Sequence, residues 1–137
     1  MNKSKGFTII ELIVVIAIIA ILAAIVMVNV TQYINKGKNA AIKGNLGTMQ
    51  TNATIWYDQN SGTYVGFKAS SGYTLPLASI HADNPSDATV EAESATAYCV
   101  SSTLNAITGD TNWCVDSTGF SGVPTATGTC GTNTACH

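Results

Sequence analysis

From Leu12 to Val28 the chain runs LIVVIAIIAILAAIVMV, 17 residues without one polar side chain. Extended back to Phe7, the apolar stretch covers 22 residues interrupted only by Thr8 and by one charge, Glu11. As an α-helix it spans roughly 33 Å, about the hydrocarbon thickness of a bilayer. A helix that is apolar all round needs either lipid or a large protein interior. A chain of 137 residues has no interior large enough to surround it. The overall composition, 46% hydrophobic and 10% charged, hides this concentration.

Charge and cysteine are also segregated. Every lysine lies at or before Lys68, there is no arginine, and from Ala69 onward only acids appear: Asp83, Asp87, Glu91, Glu93, Asp110 and Asp116. A formal net charge of −2 argues against nucleic-acid binding, which needs a cationic patch to neutralise phosphates. Cys99, Cys114, Cys130 and Cys136 all fall in the second half, within a Gly/Ser/Thr/Asn-rich stretch. An even cysteine count in such a setting reads as a disulfide framework in an oxidising compartment. Lysines flank the apolar run on both sides, so they leave its orientation open. The cysteines place the C-terminal part outside and the N-terminus on the cytoplasmic side.

A conventional secretory signal would end in a small-x-small cleavage site. Here Leu22 precedes Ala23-Ala24, and Ile25-Val26-Met27-Val28 prolongs the apolar run, so the helix is expected to stay on the mature chain. The other place for cleavage lies before the run, where the short basic segment Met1–Gly6 meets Phe7-Thr8-Ile9-Ile10-Glu11-Leu12. The segment KGFTIIELIVVIAIIAILAAI closely resembles the N-terminal processing and methylation segment of type IV pilins and type II secretion pseudopilins. The resemblance implies that Gly6 is the last leader residue, cut on the cytoplasmic membrane face by a prepilin peptidase that also N-methylates Phe7. It implies that Glu11 serves subunit assembly, and that mature chains stack their apolar helices in a filament core with the globular parts outward. Many family members carry a helix glycine and a helix proline where this chain has Ala20 and Val28. Local helix melting is therefore less expected here, and Gly37, Gly44 and Gly47 are candidates to supply flexibility further along.

Glu11 stands out on physical grounds as well. A carboxylate inside an apolar span is costly and marks a functional candidate. It lies in the first turns of the helix, where the dipole favours negative charge. In lipid it still needs a cation, and after cleavage the nearest candidate is the amino group of Phe7, its own or a neighbour's.

Beyond the run, Ile42, Leu46, Met49, Ala53 and Trp56 recur at helical spacing, and no proline intervenes as far as Tyr57. One helix from about Thr8 to Tyr57 is predicted, roughly 75 Å long. The expected organisation is a leader at 1–6, a membrane and filament-core helix at 7–28, an amphipathic continuation at 29–57 and a globular head at 58–137. In the head, Tyr64–Phe67 and Tyr73–Leu75 are short apolar pieces between Ser-Gly turns. Thr96–Val100 and Trp113–Val115 read as strands joined through Thr108–Asn112. The fold class is α+β and pilin-like, a long helix covered by a small antiparallel sheet with C-terminal disulfides. Residues 119–137, rich in Gly and Thr, read as a surface loop.

Four cysteines allow three pairings. The expectation is Cys99–Cys114 across a hairpin with Cys130–Cys136 in the tail; the nested alternative is Cys114–Cys130 with Cys99–Cys136. Zinc is disfavoured because the cysteine spacings of 15, 16 and 6 lack C-x2-C pairs and His81 and His137 form no pattern. Asp110, Asn112 and Asp116 are a weak calcium candidate, short of a full EF-hand ligand set. Some pseudopilins hold calcium in their heads. No cofactor is expected. Ser79 and His81 near Asp83 make no catalytic constellation, and there is no phosphate loop, so an enzyme is not expected.

The expected role is a structural subunit of an extracellular type IV pilus-like filament. It is made as a cytoplasmic-membrane precursor and assembled as a homo-oligomer by partner proteins, an ATPase and a platform protein, since the chain has no nucleotide site. The alternatives are a type II secretion pseudopilin or a minor or competence pilin. From a different class, a single-span anchored protein with a disulfide-rich binding head would need no cleavage at Gly6.

Overall fold

The structure, a computed structural model, describes residues 6–105, 111–124, 130 and 134–136, with the backbone alone at 28 and 29. The chain divides into two compact units, Met1–Ile34 and Asn35–His137. Helix α1, Ile9–Gln59, is continuous for 51 residues, through Ala20, Val28 and the three glycines at 37, 44 and 47. It ends in a Schellman arrangement: Ser61 has φ 60°, and the Gly62 N–H donates to the Tyr57 carbonyl at 3.0 Å.

In the first unit the described side chains of α1 are exposed from Ile9 to Met27. This is the one helix among the described residues that is long and apolar enough to cross a bilayer, with a mean hydropathy of 3.3 in its most apolar window.

In the second unit α1 is one-sided. Ile42, Leu46, Met49 and Ala53 are fully buried, and Trp56 is half-buried against the same cluster. The covering layer is a four-stranded antiparallel sheet in sequence order, β1 Val90–Glu93, β2 Tyr98–Thr103, β3 Asn112–Asp116 and β4 Ser121–Gly122. Side-chain alternation sorts β2 and β3 into two faces. Tyr98, Val100 and Val115 join the α1 stripe, with Phe67 and Tyr73 filling between. Burial pushes the Tyr98 hydroxyl well above its ordinary value. The other face carries Cys99 and Cys114, roofed by Cys130 and Cys136, with Val90 and Phe120 beside them. This double cover explains why five successive residues of β2, Tyr98–Ser102, are buried.

The connection from α1 to the sheet differs from the sequence expectation. Tyr73–Leu75 lies inside a second helix, α2, Ser71–Asp83, despite Pro76. Proline has no N–H for the carbonyl four residues back. That carbonyl, Gly72 O, instead accepts the Asn52 side-chain amide at 2.8 Å. The approach is close: a Cβ at position 72 would sit 3.1 Å from Asn52 Cβ. Before α2, Phe67–Ala69 forms a 3-10 turn preceded by Gly66 at φ 87°. That turn aims the Gly66 and Lys68 N–H groups at the two carboxylate oxygens of Glu93, at 3.0 and 3.1 Å. The tail also differs from a plain surface loop. Ser121–Gly122 pairs with β3, and Cys130 and Cys136 are fully buried.

Candidate functional site

Among the described residues, two places carry chemistry: the start of α1 and the edge of the sheet where the tail is fastened. Gly6, Phe7 and Thr8 precede the helix, exposed and in non-helical backbone. Thr8 is the N-cap, since its carbonyl accepts the Leu12 N–H. Its hydroxyl accepts the Glu11 N–H at 3.3 Å, and Glu11 Oε2 accepts both the Thr8 N–H and the Thr8 hydroxyl at 2.8 Å. This is a reciprocal capping box, Thr8-Ile9-Ile10-Glu11, which fixes where the helix begins and holds the Glu11 carboxylate at its first turn. Thr8 joins Glu11 as a functional residue, and its sequence signal is a Thr followed three residues later by Glu ahead of an apolar run, a recognisable helix start. Leader residues 1–5, with Lys3 and Lys5, lie outside the described residues.

At the sheet, the disulfides are Cys99–Cys130 and Cys114–Cys136. The expected pairing, Cys99–Cys114 across a hairpin with Cys130–Cys136 in the tail, is therefore corrected, and so is its nested alternative, Cys114–Cys130 with Cys99–Cys136. The strand register gives the reason. Cys99 stands opposite Asp116, and Cys114 stands opposite Ser101, so the two cysteines are diagonal neighbours on one face. Diagonal positions lie about 7–8 Å apart, whereas a disulfide needs Cβ atoms about 3.5–4.5 Å apart. Each strand cysteine is instead met from above by one tail cysteine.

Asp116 organises the same edge. Its side chain is fully buried. Oδ1 accepts the Thr118 hydroxyl at 2.6 Å, the Thr118 N–H at 2.9 Å and the Phe120 N–H at 3.3 Å, while Oδ2 accepts the Cys136 N–H at 2.9 Å. Burial by itself would raise its pKa. The hydrogen bonds from Thr118, Cys136 and Phe120 outweigh burial and hold the carboxyl below its usual range. Asp116 thus ties the β3–β4 turn to the tail.

The calcium candidate does not assemble. Asn112 and Asp116 occupy opposite ends of β3, about 13 Å apart at strand rise, and Asp110 lies outside the described residues. His81 does not combine with Ser79, whose hydroxyl donates to Leu75 O. Instead His81 Nε2 lies 3.6 Å from Oδ2 of Asp87, a buried carboxylate whose Oδ1 accepts the Ser102 hydroxyl and both the N–H and hydroxyl of Thr103. Asp87 is a structural hub joining the α2–β1 connection to β2. Asp87 sits in a polar turn without a motif, so nothing in the sequence marks it for this role.

A long apolar N-terminal helix, a small antiparallel sheet and C-terminal disulfides make an α+β fold that fits a pilin-like architecture. Residues 1–27 match the family model of the prokaryotic N-terminal methylation motif, which supports a protein of the type IV pilin or pseudopilin type. No curated protein and no solved structure matches the chain. The motif and the apolar helix fit a membrane-anchored precursor handled by a prepilin peptidase.

Proposed function

We propose that this chain is a structural subunit of an extracellular type IV pilus-like filament, cleaved between Gly6 and Phe7, N-methylated on Phe7 and assembled through α1. The observation that carries this reading is the apolar surface of Ile9–Met27, which is exposed throughout and begins at a capped carboxylate inside the methylation motif. Such a surface needs lipid before assembly and other copies of itself afterwards. Moving it from lipid to a filament core gains little hydrophobic free energy, because acyl chains are as apolar as leucine. Packing and polar pairing then decide where each subunit stops, and the work of extraction falls to the assembly ATPase and platform protein.

Glu11 supplies the pairing. A carboxylate at the centre of a membrane helix costs about 2.5–3.5 kcal/mol on insertion scales. Its position in the first turn lowers that burden, and the amino group created at Phe7, its own or that of a neighbouring subunit, is the cation that would neutralise it. Replacing Glu11 with Val should leave precursor in the membrane at wild-type levels by immunoblot while sheared surface filaments fall by more than about 10-fold, the effect of losing about 1.4 kcal/mol or more of docking free energy. Wild-type filament numbers would sink the reading.

A further inference from the structure

We propose that Tyr57 and Tyr64 form a site of oxidative modification, at which a haem peroxidase acting with hydrogen peroxide joins the two rings through one carbon–carbon bond. The ring centroids are 4.6 Å apart with an interplanar angle of 37°. That is closer and flatter than Tyr64 against Tyr98, at 4.8 Å and 59°. A tyrosyl radical carries much of its spin on the carbons ortho to the oxygen, so two such radicals in ring contact couple there.

The end of α1 builds the pair. Helix α1 stops at Gln59, and Gly62, at φ 75°, returns its N–H to the Tyr57 carbonyl. A Cβ at position 62 would lie 3.5 Å from Cζ and from the hydroxyl oxygen of Tyr57. The chain therefore passes across the phenol end of that ring before Tyr64 comes round beside it. The Tyr64 N–H donates to the Ala95 carbonyl at 3.1 Å, which fixes the second ring from its backbone. Burial, then Tyr57 and Asp58, push the Tyr64 hydroxyl above its ordinary value, so it reacts as the neutral phenol. Tyr57 is half-buried, which leaves ring surface for an oxidant to reach. The other tyrosines are placed differently. Tyr98 and Tyr73 are each 2% exposed, Tyr73 lies edge-on to Phe67, and Tyr33 is 71% exposed in the first unit.

The chemistry balances with the peroxide. Each phenol gives up one electron and its proton, and the two radicals form the new bond. The ring hydrogens at that bond then move to the oxygens and restore both phenols. The pair loses two hydrogens in all, and one hydrogen peroxide takes them up to become two waters. The second unit carries two disulfides, which places it where oxidants act. Those disulfides fasten the tail to β2 and β3. The tyrosine bond would fasten the end of α1 to the segment that leads into the 3-10 turn, which neither disulfide reaches.

The test treats the full disulfide-bonded chain, one per detergent micelle, with a haem peroxidase and hydrogen peroxide. The expected product is a monomer lighter by two hydrogens, with the blue fluorescence of dityrosine and a proteolytic peptide pair joined at Tyr57 and Tyr64. Tyr57→Phe and Tyr64→Phe keep the ring and remove the hydroxyl, and each should abolish the product. Tyr73→Phe and Tyr98→Phe should retain it. The wild-type peptide map assigns the bond without relying on any variant. A bond that joins Tyr98 instead, coupling only between chains through Tyr33, or no loss of two hydrogens would overturn the proposal. So would a product that survives in the folded Tyr57→Phe chain.

Discussion

The two halves of α1 carry leucines of the same kind to opposite ends: Leu22 is 57% exposed, while Leu46 is fully buried. The first half is apolar on every side and its apolar surface stays open. The second half is apolar along one stripe, and the sheet, α2 and the aromatic residues Phe67, Tyr73 and Tyr98 close over it. The two acids of interest divide the same way. Asp116 is met by N–H and O–H donors from its own head, whereas Glu11 is held at a helix start facing outward. The contrast separates two uses of hydrophobicity within one helix. A stripe is completed by the chain itself; a full cylinder must be completed by lipid or by other copies.

Truncation at equivalent residues tests that contrast with the largest expected effect. In the full chain in micelles, Leu46→Ala should lower unfolding free energy by about 2–5 kcal/mol, the cost of a core cavity. Leu22→Ala should change it by less than about 0.5 kcal/mol, as expected of an uncovered position. Denaturant titration followed by the fluorescence of Trp56 and Trp113, both in the second unit, reads the difference directly. Equal losses would mean that the two halves are not distinct in the way described.

Asp116 offers the next largest effect and a sign. Its carboxyl is depressed in the folded chain, against about 3.9 when unfolded. Its contribution is therefore complete above the unfolded value and is lost as pH falls through the folded value. Asp116→Asn should cost about 1–3 kcal/mol at neutral pH, and the gap between wild type and variant should narrow below about pH 4. A gap of constant size across that range would show that the ionised form is not what holds the turn and the tail.

The smallest effect concerns the glycines of the second unit. Gly44 is exposed and helical, with nothing within 4 Å of an added Cβ. Gly44→Ala should stabilise the chain by about 0.5–1 kcal/mol through backbone entropy. A loss of stability in the same denaturant titration would show that this half of α1 needs the glycine for something other than helix.

Much of this was readable in the sequence, for identifiable reasons. The unbroken apolar run and the Ile42, Leu46, Met49, Ala53 repeat are local periodicities, and each produced the helix it implied. The strands around Cys99 and Cys114 were found because β-branched and aromatic residues cluster there between turn formers. The third disulfide pairing was not readable, because it depends on strand register, and a shift of two residues decides whether two cysteines are opposite or diagonal. Helix α2 is not legible locally, because Tyr73–Leu75 reads as a short apolar piece beside a Ser-Gly turn, and the Asn52 amide that satisfies the carbonyl freed by Pro76 comes from 20 residues away. The calcium candidate failed for a related reason: nearness in sequence along an extended strand is distance in space.

The most direct measurement is the intact mass and N-terminal sequence of this chain recovered from sheared surface filaments. The account predicts a chain that begins at Phe7, carries one methyl group on its amino nitrogen and lacks Met1–Gly6. A chain that begins at Met1 would contradict it.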